Sequence, residues 1–280
     1  ITFTRAAARE MRERFLRQTK NDGTAVSFGT FHAVFFQILK LAYGYGAENI
    51  LKEEQKYQFL RDSIRKAKLE LDDEAEFLSD VAAEISRVKN ERSDLNTYQA
   101  STCNSAVFKG IYNDYDNRLR RSNLIDYDDM LVYCYELLKE RPDILGAWQR
   151  KYQYILVDEF QDINQLQYDI VRLLAAPEDN LFIVGDDDQS IYRFRGAKPR
   201  IMLNFEKDYP KAERVVLDTN YRSTPEIVKG AGKVIGHNQE RFPKEIHAAK
   251  DTGFQIHTHD FPTQEEENAC IVDKIRTYAD

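Results

Sequence analysis

Two adjacent carboxylates follow an apolar run in the middle of the chain. The run at residues 154–157 predicts a short buried strand, and it stops at Asp158 and Glu159. At a strand end, one carboxylate can orient Mg²⁺ while the next polarises an attacking water, as in a Walker B or DE-box element. Mg²⁺ keeps several waters, so one protein carboxylate is enough to hold it. Strands ending in solvated acidic residues are also common, and this motif alone leaves both interpretations open.

A second strand end of the same kind comes shortly afterwards. Residues 181–184 form another apolar run, followed by Gly185, three aspartates at 186–188 and Gln189. A glutamine at this place can hydrogen-bond a γ-phosphate or the attacking water. The aspartates could instead bind a cation directly, but consecutive residues point in different directions and rarely converge on one ion. We therefore favour phosphate sensing by Gln189.

Aromatic and basic residues alternate directly after this strand end. The sequence SIYRFRGA at residues 190–197 interleaves Tyr192 and Phe194 with Arg193 and Arg195. Ring faces can stack on bases and arginines can pair with phosphates, a combination suited to unpaired nucleic acid. Aromatic pairs at this spacing also occur as core packing. The neighbouring phosphate chemistry favours the nucleic-acid interpretation.

Four short strand-like runs, at residues 1–3, 25–28, 154–157 and 181–184, are each followed by a helical pattern. Apolar strands alternating with amphipathic helices predict an α/β fold with a parallel sheet covered on both faces. Ligands of such sheets bind at the carboxyl ends of the strands. The chemistry is therefore expected after the third and fourth runs.

The pattern of apolar and charged residues changes at two places along the chain. Residues 48–123 contain long charged helical patterns without a strand-like run, which predicts an all-helical insertion. From about residue 200 a second α/β unit begins, with a predicted strand at 215–217 and helix starts at Thr224-Pro225 and at Thr263.

Composition narrows the class of protein. The 280 residues are 42% hydrophobic, enough for a full core, and the net charge of −7 argues against a basic exterior. A groove that grips a single strand needs only local contacts, so this charge does not exclude nucleic acid. We expect no signal peptide and no membrane span. The three cysteines are widely spaced, which predicts no disulfide framework and fits a cytoplasmic protein. His257 and His259 could share a metal, but with no thiol or third histidine nearby a structural role is favoured.

Six segments together resemble the UvrD/Rep/PcrA-like superfamily 1 DNA helicases, in the order found in that family. They are TFTRAAAREM, SFGTFHA, IDYDDML, VDEFQD, VGDDDQSIYRFRGA and LDTNYRST. The resemblance implies a RecA-like parallel sheet motor core with an all-helical insertion, plus the start of a second RecA-like domain. The implied boundaries are 1–47 and 124–199 for the first core domain, 48–123 for the insertion and 200–280 for the second domain.

The resemblance also implies a role for individual residues, with ATP and Mg²⁺ as cofactors. Asp158 would hold Mg²⁺ through water, Glu159 would be the general base, and Gln189 would couple the γ-phosphate to the DNA groove. Tyr221 would stack on adenine and Arg222 would reach the γ-phosphate like an arginine finger. The residues implied to contact single-stranded DNA are Phe3, Thr4, Thr30, His32, Tyr192, Phe194 and Arg195. For His32, a purely structural role is the alternative.

Some positions depart from the family pattern. Phe194, Arg5 and Asp187 stand where tryptophan, asparagine and proline are usual, and no phosphate-binding loop G-x-x-x-x-G-K-[ST] occurs in the chain. We therefore expect that loop upstream of Ile1, and we expect the chain alone to be inactive.

The leading interpretation is an ATP-dependent 3′–5′ helicase or translocase acting on single-stranded DNA and duplex junctions, with repair or recombination proteins as further partners. The alternatives are the motor region of a helicase–nuclease subunit of the AddA or RecB type, or a non-catalytic nucleic-acid-binding relative.

Overall fold

The computed structural model describes residues 1–20, 26–69, 71–191 and 196–279. The chain divides into two compact units, Ile1–Pro210 and Lys211–Asp280.

Helices dominate the described part of the first unit. They are α1 (Arg5–Thr19), α2 (Phe31–Tyr43), α3 (Glu53–Ala67), α4 (Glu74–Glu91), α5 (Ser105–Arg121), α6 (Tyr127–Glu140), α7 (Pro142–Lys151), α8 (Gln165–Ala175), α9 (Pro199–Leu203) and α10 (Phe205–Asp208). Side chains of Thr4, Thr30, Asp73, Asn104, Asp126 and Asn164 accept hydrogen bonds from the first turns of α1, α2, α4, α5, α6 and α8. Such N-caps satisfy amide groups that have no partner within the helix, and they fix where each helix begins.

Two strands form the sheet predicted around the acidic motifs. β1 (Ile155–Val157) pairs in parallel with β2 (Leu181–Ile183), and Leu156 lies opposite Phe182. Both of these side chains are mostly exposed, while Ile155 and Val157 are buried against the helices. Among the described residues the sheet is therefore covered on one face only, where the sequence predicted cover on both faces.

The predicted strands at residues 1–3 and 25–28 were wrong: residues 1–3 and 26–28 form no strand, and residue 25 lies outside the described residues. The Ile1 nitrogen donates to the Leu156 carbonyl oxygen at 2.7 Å, and the Asp158 amide donates to the Ile1 carbonyl oxygen at 3.0 Å. Thr2 forms an isolated parallel bridge with Thr30. The capping threonines start α1 and α2 immediately after these contacts, so the backbone leaves the sheet after one or two residues.

Two separate hydrophobic clusters make up the interior of the first unit. The first packs α2, α6 and α8 against β1, with Phe35, Ile38, Cys134 and Ile170 completely buried. The second lies among α3, α4 and α5 and includes Leu60, Val81, Ile85, Phe108 and Tyr115. Helices α3 to α5 thus share a hydrophobic core of their own.

The chain leaves and rejoins the first cluster at adjacent points. Ile50 forms a parallel bridge with Ile125, supported by hydrogen bonds from the Leu51 amide to the Ile125 carbonyl oxygen and from the Ile125 amide to the Asn49 carbonyl oxygen. Helices α3 to α5 lie between these two crossings. They form a lobe that is connected to the first cluster by the two bridged segments at Ile50 and Ile125.

Polar side chains join this lobe to the first cluster. The Lys89 Nζ on α4 lies 2.7 Å from Asp126 Oδ2 and 2.6 Å from Asp129 Oδ1, and the lysine and both aspartates are buried. Asn90 donates to Asp128 Oδ1 at 2.7 Å. We call Lys89, Asn90, Asp126, Asp128 and Asp129 the polar seam. Its contacts are directional hydrogen bonds, so they specify one orientation of α4 against α6.

The described part of the second unit contains β3 (Thr219–Asn220), α11 (Pro225–Ile235), β4 (His247–Ala248) and α12 (Gln264–Ala279). The two strands pair in parallel, and α11 begins at Pro225 after Thr224, as predicted. The predicted strand at 215–217 was wrong: Val215 and Leu217 are more than four-fifths exposed, and pairing starts at Thr219. β-branched residues favour a strand only where a partner is present.

In the part of the chain that the structure describes, no helix has the length and apolar character required to span a lipid bilayer.

Candidate functional site

The acidic pair predicted at the end of the first buried strand stands at the carboxyl end of β1. Asp158 is half-buried, and its side chain makes no hydrogen bond or ion pair with the described residues. Glu159 is exposed and adopts φ 53°, ψ 42°, in the left-handed region that residues other than glycine rarely enter. Strained backbone of this kind concentrates at sites where a side chain must point in a particular direction.

Gln161 connects the Glu159 carboxylate to the second strand end. Its Nε2 donates to Glu159 Oε2 at 2.8 Å, and its Oε1 accepts from the Asp186 amide at 3.0 Å. The side chain is 2% exposed. Sequence reasoning assigned no role to Gln161, although it lies inside the VDEFQD motif. Only the buried contacts reveal that it joins the two acidic segments.

Gln189 lies in the 3₁₀ turn Asp187–Gln189 that follows β2. Its Nε2 donates to Asp186 Oδ2 at 2.7 Å. The structure thus brings Glu159 and Gln189 into one hydrogen-bonded chain that runs through Gln161 and Asp186. In the described residues, no group of three or more His, Cys, Asp and Glu side chains is placed to hold a metal.

Asp162 adds a second carboxyl group beside Glu159. Its Oδ1 is buried and has no hydrogen-bond partner among the residues that the structure describes. Burial raises the pKa of the Asp162 carboxyl, and the negative charge of Glu159 raises it further. A buried carboxyl oxygen without a partner is costly unless a proton or a ligand compensates it. Asp162 was not predicted as a site residue.

Three of the residues predicted to contact DNA have structural contacts of their own. Phe3 packs edge-on against Phe31 of the first cluster, with ring centroids 5.3 Å apart. The Oγ1 of Thr4 accepts from the Ala7 amide at 3.1 Å, and that of Thr30 accepts from the Ala33 amide at 3.2 Å. Helix capping is therefore sufficient to explain a threonine at both positions.

His32 stands beside the polar seam. Its ring packs edge-on against Tyr127 with centroids 5.3 Å apart. Burial lowers the pKa of His32, and the nearby Asp128 partly offsets that shift. Asp128 accepts hydrogen bonds from Ser86 and Asn90 of α4, so the carboxylate that influences His32 belongs to the polar seam. The predicted DNA contacts Tyr192, Phe194 and Arg195 lie outside the described residues.

The second unit presents Tyr221 and Arg222 after β3. Tyr221 is 76% exposed, and Arg222 is also exposed. The Asn220 Oδ1 accepts from the Arg222 amide at 2.9 Å and from the Ser223 amide at 2.8 Å. This side-chain turn fixes the backbone that carries both predicted nucleotide contacts. Asn220 was not predicted, although asparagine is a typical residue for such a turn.

Two family models match the chain, one in each compact unit. The family model described as the UvrD/REP helicase N-terminal domain matches residues 1–210, and that of the UvrD-like helicase C-terminal domain matches residues 215–280. The chain belongs to the UvrD/REP helicase family. The two matched segments agree with the two compact units of the structure.

Individual UvrD/REP relatives support the same assignment. The chain is 39% identical to YjcD of Bacillus subtilis (strain 168) over 97% of its length. It is 35% identical to the ATP-dependent DNA helicase PcrA of Staphylococcus aureus (strain Mu50 / ATCC 700699) over 98%, and 37% identical to PcrA of Leuconostoc citreum over 99%. The chain spans 36% to 38% of the length of these three relatives.

Proposed function

We propose that the chain is the central part of an ATP-driven helicase or translocase that moves along single-stranded DNA. The support is the family, together with relatives named ATP-dependent DNA helicases. By resemblance, the direction of movement is 3′ to 5′ and the substrates include duplex junctions. The alternatives are the motor of a helicase–nuclease subunit or a non-catalytic relative. Glu159, Gln189 and Arg222 are the residue types that hydrolysis requires, which disfavours a non-catalytic relative.

The proposed architecture is RecA-like. Residues 1–47 and 124–199 would form the first core domain, 48–123 a helical insertion, and 200–280 the start of a second core domain. The parallel pairing of β1 with β2 and the adjacent chain crossings at Ile50 and Ile125 support this division. Both features are expected when a helical lobe is inserted into a parallel-sheet domain.

The position of the acidic and amide side chains carries the functional proposal. The Asp158-Glu159 pair and Gln189 follow neighbouring parallel strands, at the edge of the sheet where ligands of this fold class bind. Gln161 ties the two segments together. A hydrolytic site for a nucleoside triphosphate needs this combination of carboxylates and a water-positioning amide.

Mg²⁺ fits the residues present. Asp158 supplies a hard oxygen ligand that no described side chain occupies. Bound there through water, the cation would neutralise charge on the β- and γ-phosphates. Glu159 would accept the proton of the attacking water, since its Oε1 accepts no hydrogen bond from the described residues.

The other proposed roles concern ATP and DNA. Gln189 would bind the γ-phosphate or the attacking water, Tyr221 would stack on adenine, and Arg222 would stabilise transition-state charge. The path of the single strand would be lined by Phe3, Thr4, Thr30, His32, Tyr192, Phe194 and Arg195. The capping roles of the threonines are compatible with this path, because a helix N-terminus also presents amide donors to phosphates.

ATP hydrolysis by the full-length protein tests the proposal. Replacing Glu159 with Gln should lower the turnover stimulated by single-stranded DNA by at least about 100-fold, because it removes the general base. ATP and DNA binding should persist. Glu178→Gln is the matched control, because Glu178 is exposed and lies outside the acidic motifs, and it should keep wild-type turnover. If Glu159→Gln turned over within a few-fold of the wild type, the assignment of the base would be wrong.

A further inference from the structure

Gln161 has one side-chain partner that accepts a hydrogen bond and one that donates. On one side it meets a carboxylate, Glu159, which can only accept hydrogen bonds when ionised. On the other side it meets a backbone amide, that of Asp186, which can only donate. A carboxamide supplies one donor and one acceptor, so these two partners fix the orientation of its Nε2 and Oε1.

The surrounding backbone holds Gln161 in place. The Phe160 amide donates to the Val184 carbonyl oxygen at 2.9 Å, which continues the pairing of β1 and β2 beyond the strands. The Ser190 hydroxyl donates to the Gln161 carbonyl oxygen at 3.3 Å. The segment 186–190 is therefore attached to Gln161 near both of its ends, through the side chain and through the backbone.

Gly185 leaves the space that this side chain fills. A Cβ atom at residue 185 would lie 2.7 Å from Gln161 Oε1 and 3.1 Å from both Met202 Sδ and the Phe160 nitrogen. The first distance is shorter than ordinary contact, so any larger residue would push the amide away from its partner. The Gln161 side chain can therefore keep this position only because residue 185 has no Cβ atom.

We propose that Gln161 is a positioning residue, which holds the Glu159 carboxylate for catalysis and ties it to the segment 186–190. The inference rests on the proposed role of Glu159 as the general base. With Oε2 of Glu159 occupied by the amide, Oε1 is left to accept the proton of water. The segment 186–190 leads directly into the residues expected to contact single-stranded DNA, so its movement would shift Gln161 and, through it, Glu159.

The test is steady-state ATP hydrolysis by the full-length protein with saturating single-stranded DNA. Gln161→Met keeps the length of the side chain and removes both hydrogen bonds, while Gln161→Glu keeps the shape and places a second carboxylate against Glu159. We expect kcat to fall by about 10- to 100-fold in both variants, as for a displaced catalytic group, with the KM for ATP changed by less than about threefold. Gln149→Met is the matched control, because it removes one glutamine hydrogen bond, to the Leu173 carbonyl oxygen, outside the site.

Gly185→Ala gives an independent perturbation that leaves Gln161 chemically intact. It should lower kcat in the same direction, so the inference stays testable even if Gln161→Met folds poorly. Combining Gln161→Met with Glu159→Gln should cost little more than Glu159→Gln alone, because the first residue acts through the second.

Wild-type kcat in both Gln161→Met and Gly185→Ala, in an otherwise active protein, would overturn this inference alone. Additive losses in the double variant would also overturn it, because Gln161 would then act independently of Glu159. If the wild-type protein hydrolysed no ATP with DNA present, the proposed function would fail and this inference would fail with it.

Discussion

Lys89 in the polar seam offers the sharpest test of how the helical lobe is held. Its side chain is 3% exposed and pairs with Asp126 and Asp129, whose side chains are 4% and 5% exposed. Tyr115 donates a further hydrogen bond to Asp126 Oδ2 at 2.9 Å. Replacing Lys89 with Met keeps the apolar stem but leaves two buried carboxylates without their cation. Breaking a buried pair in this way costs about 3–5 kcal/mol.

The loss should depend on pH. One lysine faces two carboxylates, and burial together with the charge of Asp126 raises the pKa of Asp129 to about 7. Its folded pKa therefore lies above the ordinary value of 3.8, so the folded state binds this proton more tightly and is favoured as pH falls from 7 towards 4. Without Lys89, both carboxyls should take up protons more readily. The destabilisation should thus be smaller at pH 5 than at pH 8, by at least about 1 kcal/mol for each proton gained.

Chemical denaturation of the chain at both pH values measures this effect. Trp148 is the single tryptophan and is buried in the first hydrophobic cluster, so its fluorescence reports on the core, while circular dichroism reports on all helices. Lys66→Met is the matched control, because the 62% exposed Lys66 pairs with Asp114 at the surface and should cost less than about 1 kcal/mol. Adding Asp129→Asn to Lys89→Met should restore part of the stability. Equal losses for the two lysine variants at both pH values would refute the reasoning.

Two further predictions concern stability. Glu84 has a side chain 1% exposed and accepts hydrogen bonds from Ser101 and Thr102; burial opposes its ionisation, but these donors together lower its pKa from 4.5 to about 2. Because the folded pKa of Glu84 is depressed, the stabilisation by its carboxylate is present above about pH 4.5 and is lost as pH falls towards 2. Glu84→Gln should therefore lower the free energy of unfolding, measured by urea titration, by about 2 kcal/mol at pH 7 and by much less at pH 2.5. Equal losses at the two pH values would contradict this prediction. Thr30→Ala should lower the free energy of unfolding by about 1 kcal/mol, because it removes the side-chain cap of α2. Thr30→Ser should keep both the cap and the stability in the same titration. An equal loss of stability in the two variants would assign Thr30 another role.

The pattern of apolar residues predicted the main elements of the first unit. Val81, Ile85 and Val88 recur at helical spacing and are all buried on one side of α4. The runs at 154–157 and 181–184 became β1 and β2 because each is short, apolar and bounded by polar residues. These signals are local and repeat along the chain, so a single sequence is enough to read them.

Pairing and burial depend on distant residues, and there the sequence was less informative. The β-branched residues at 215–217 have a strand-like composition, yet the pairing with β4 begins at Thr219. Leu156 and Phe182 are apolar and lie opposite each other, but both are exposed. Strand propensity describes a residue that fits a paired and half-buried surface, and it does not supply the partner or the cover.

Two of the residues that sequence reasoning overlooked, Gln161 and Lys89, have polar groups that bond to partners far along the chain. Gln161 bonds to Asp186, and Lys89 bonds to Asp126 and Asp129. A buried polar group is destabilising unless every partner is in place, so such groups persist only where they fix a geometry that apolar packing would leave free. In the first unit they stand at two places, the edge of the sheet with the acidic motifs and the seam between the two hydrophobic clusters. Between these places, the Asn164 side chain donates to Asn90 Oδ1 at 3.0 Å, and Asn164 follows the acidic motif by two residues. A hydrogen bond therefore connects the helical lobe to the segment that follows the acidic motif. A displacement of the lobe would strain this segment, which also carries Glu159 and Gln161.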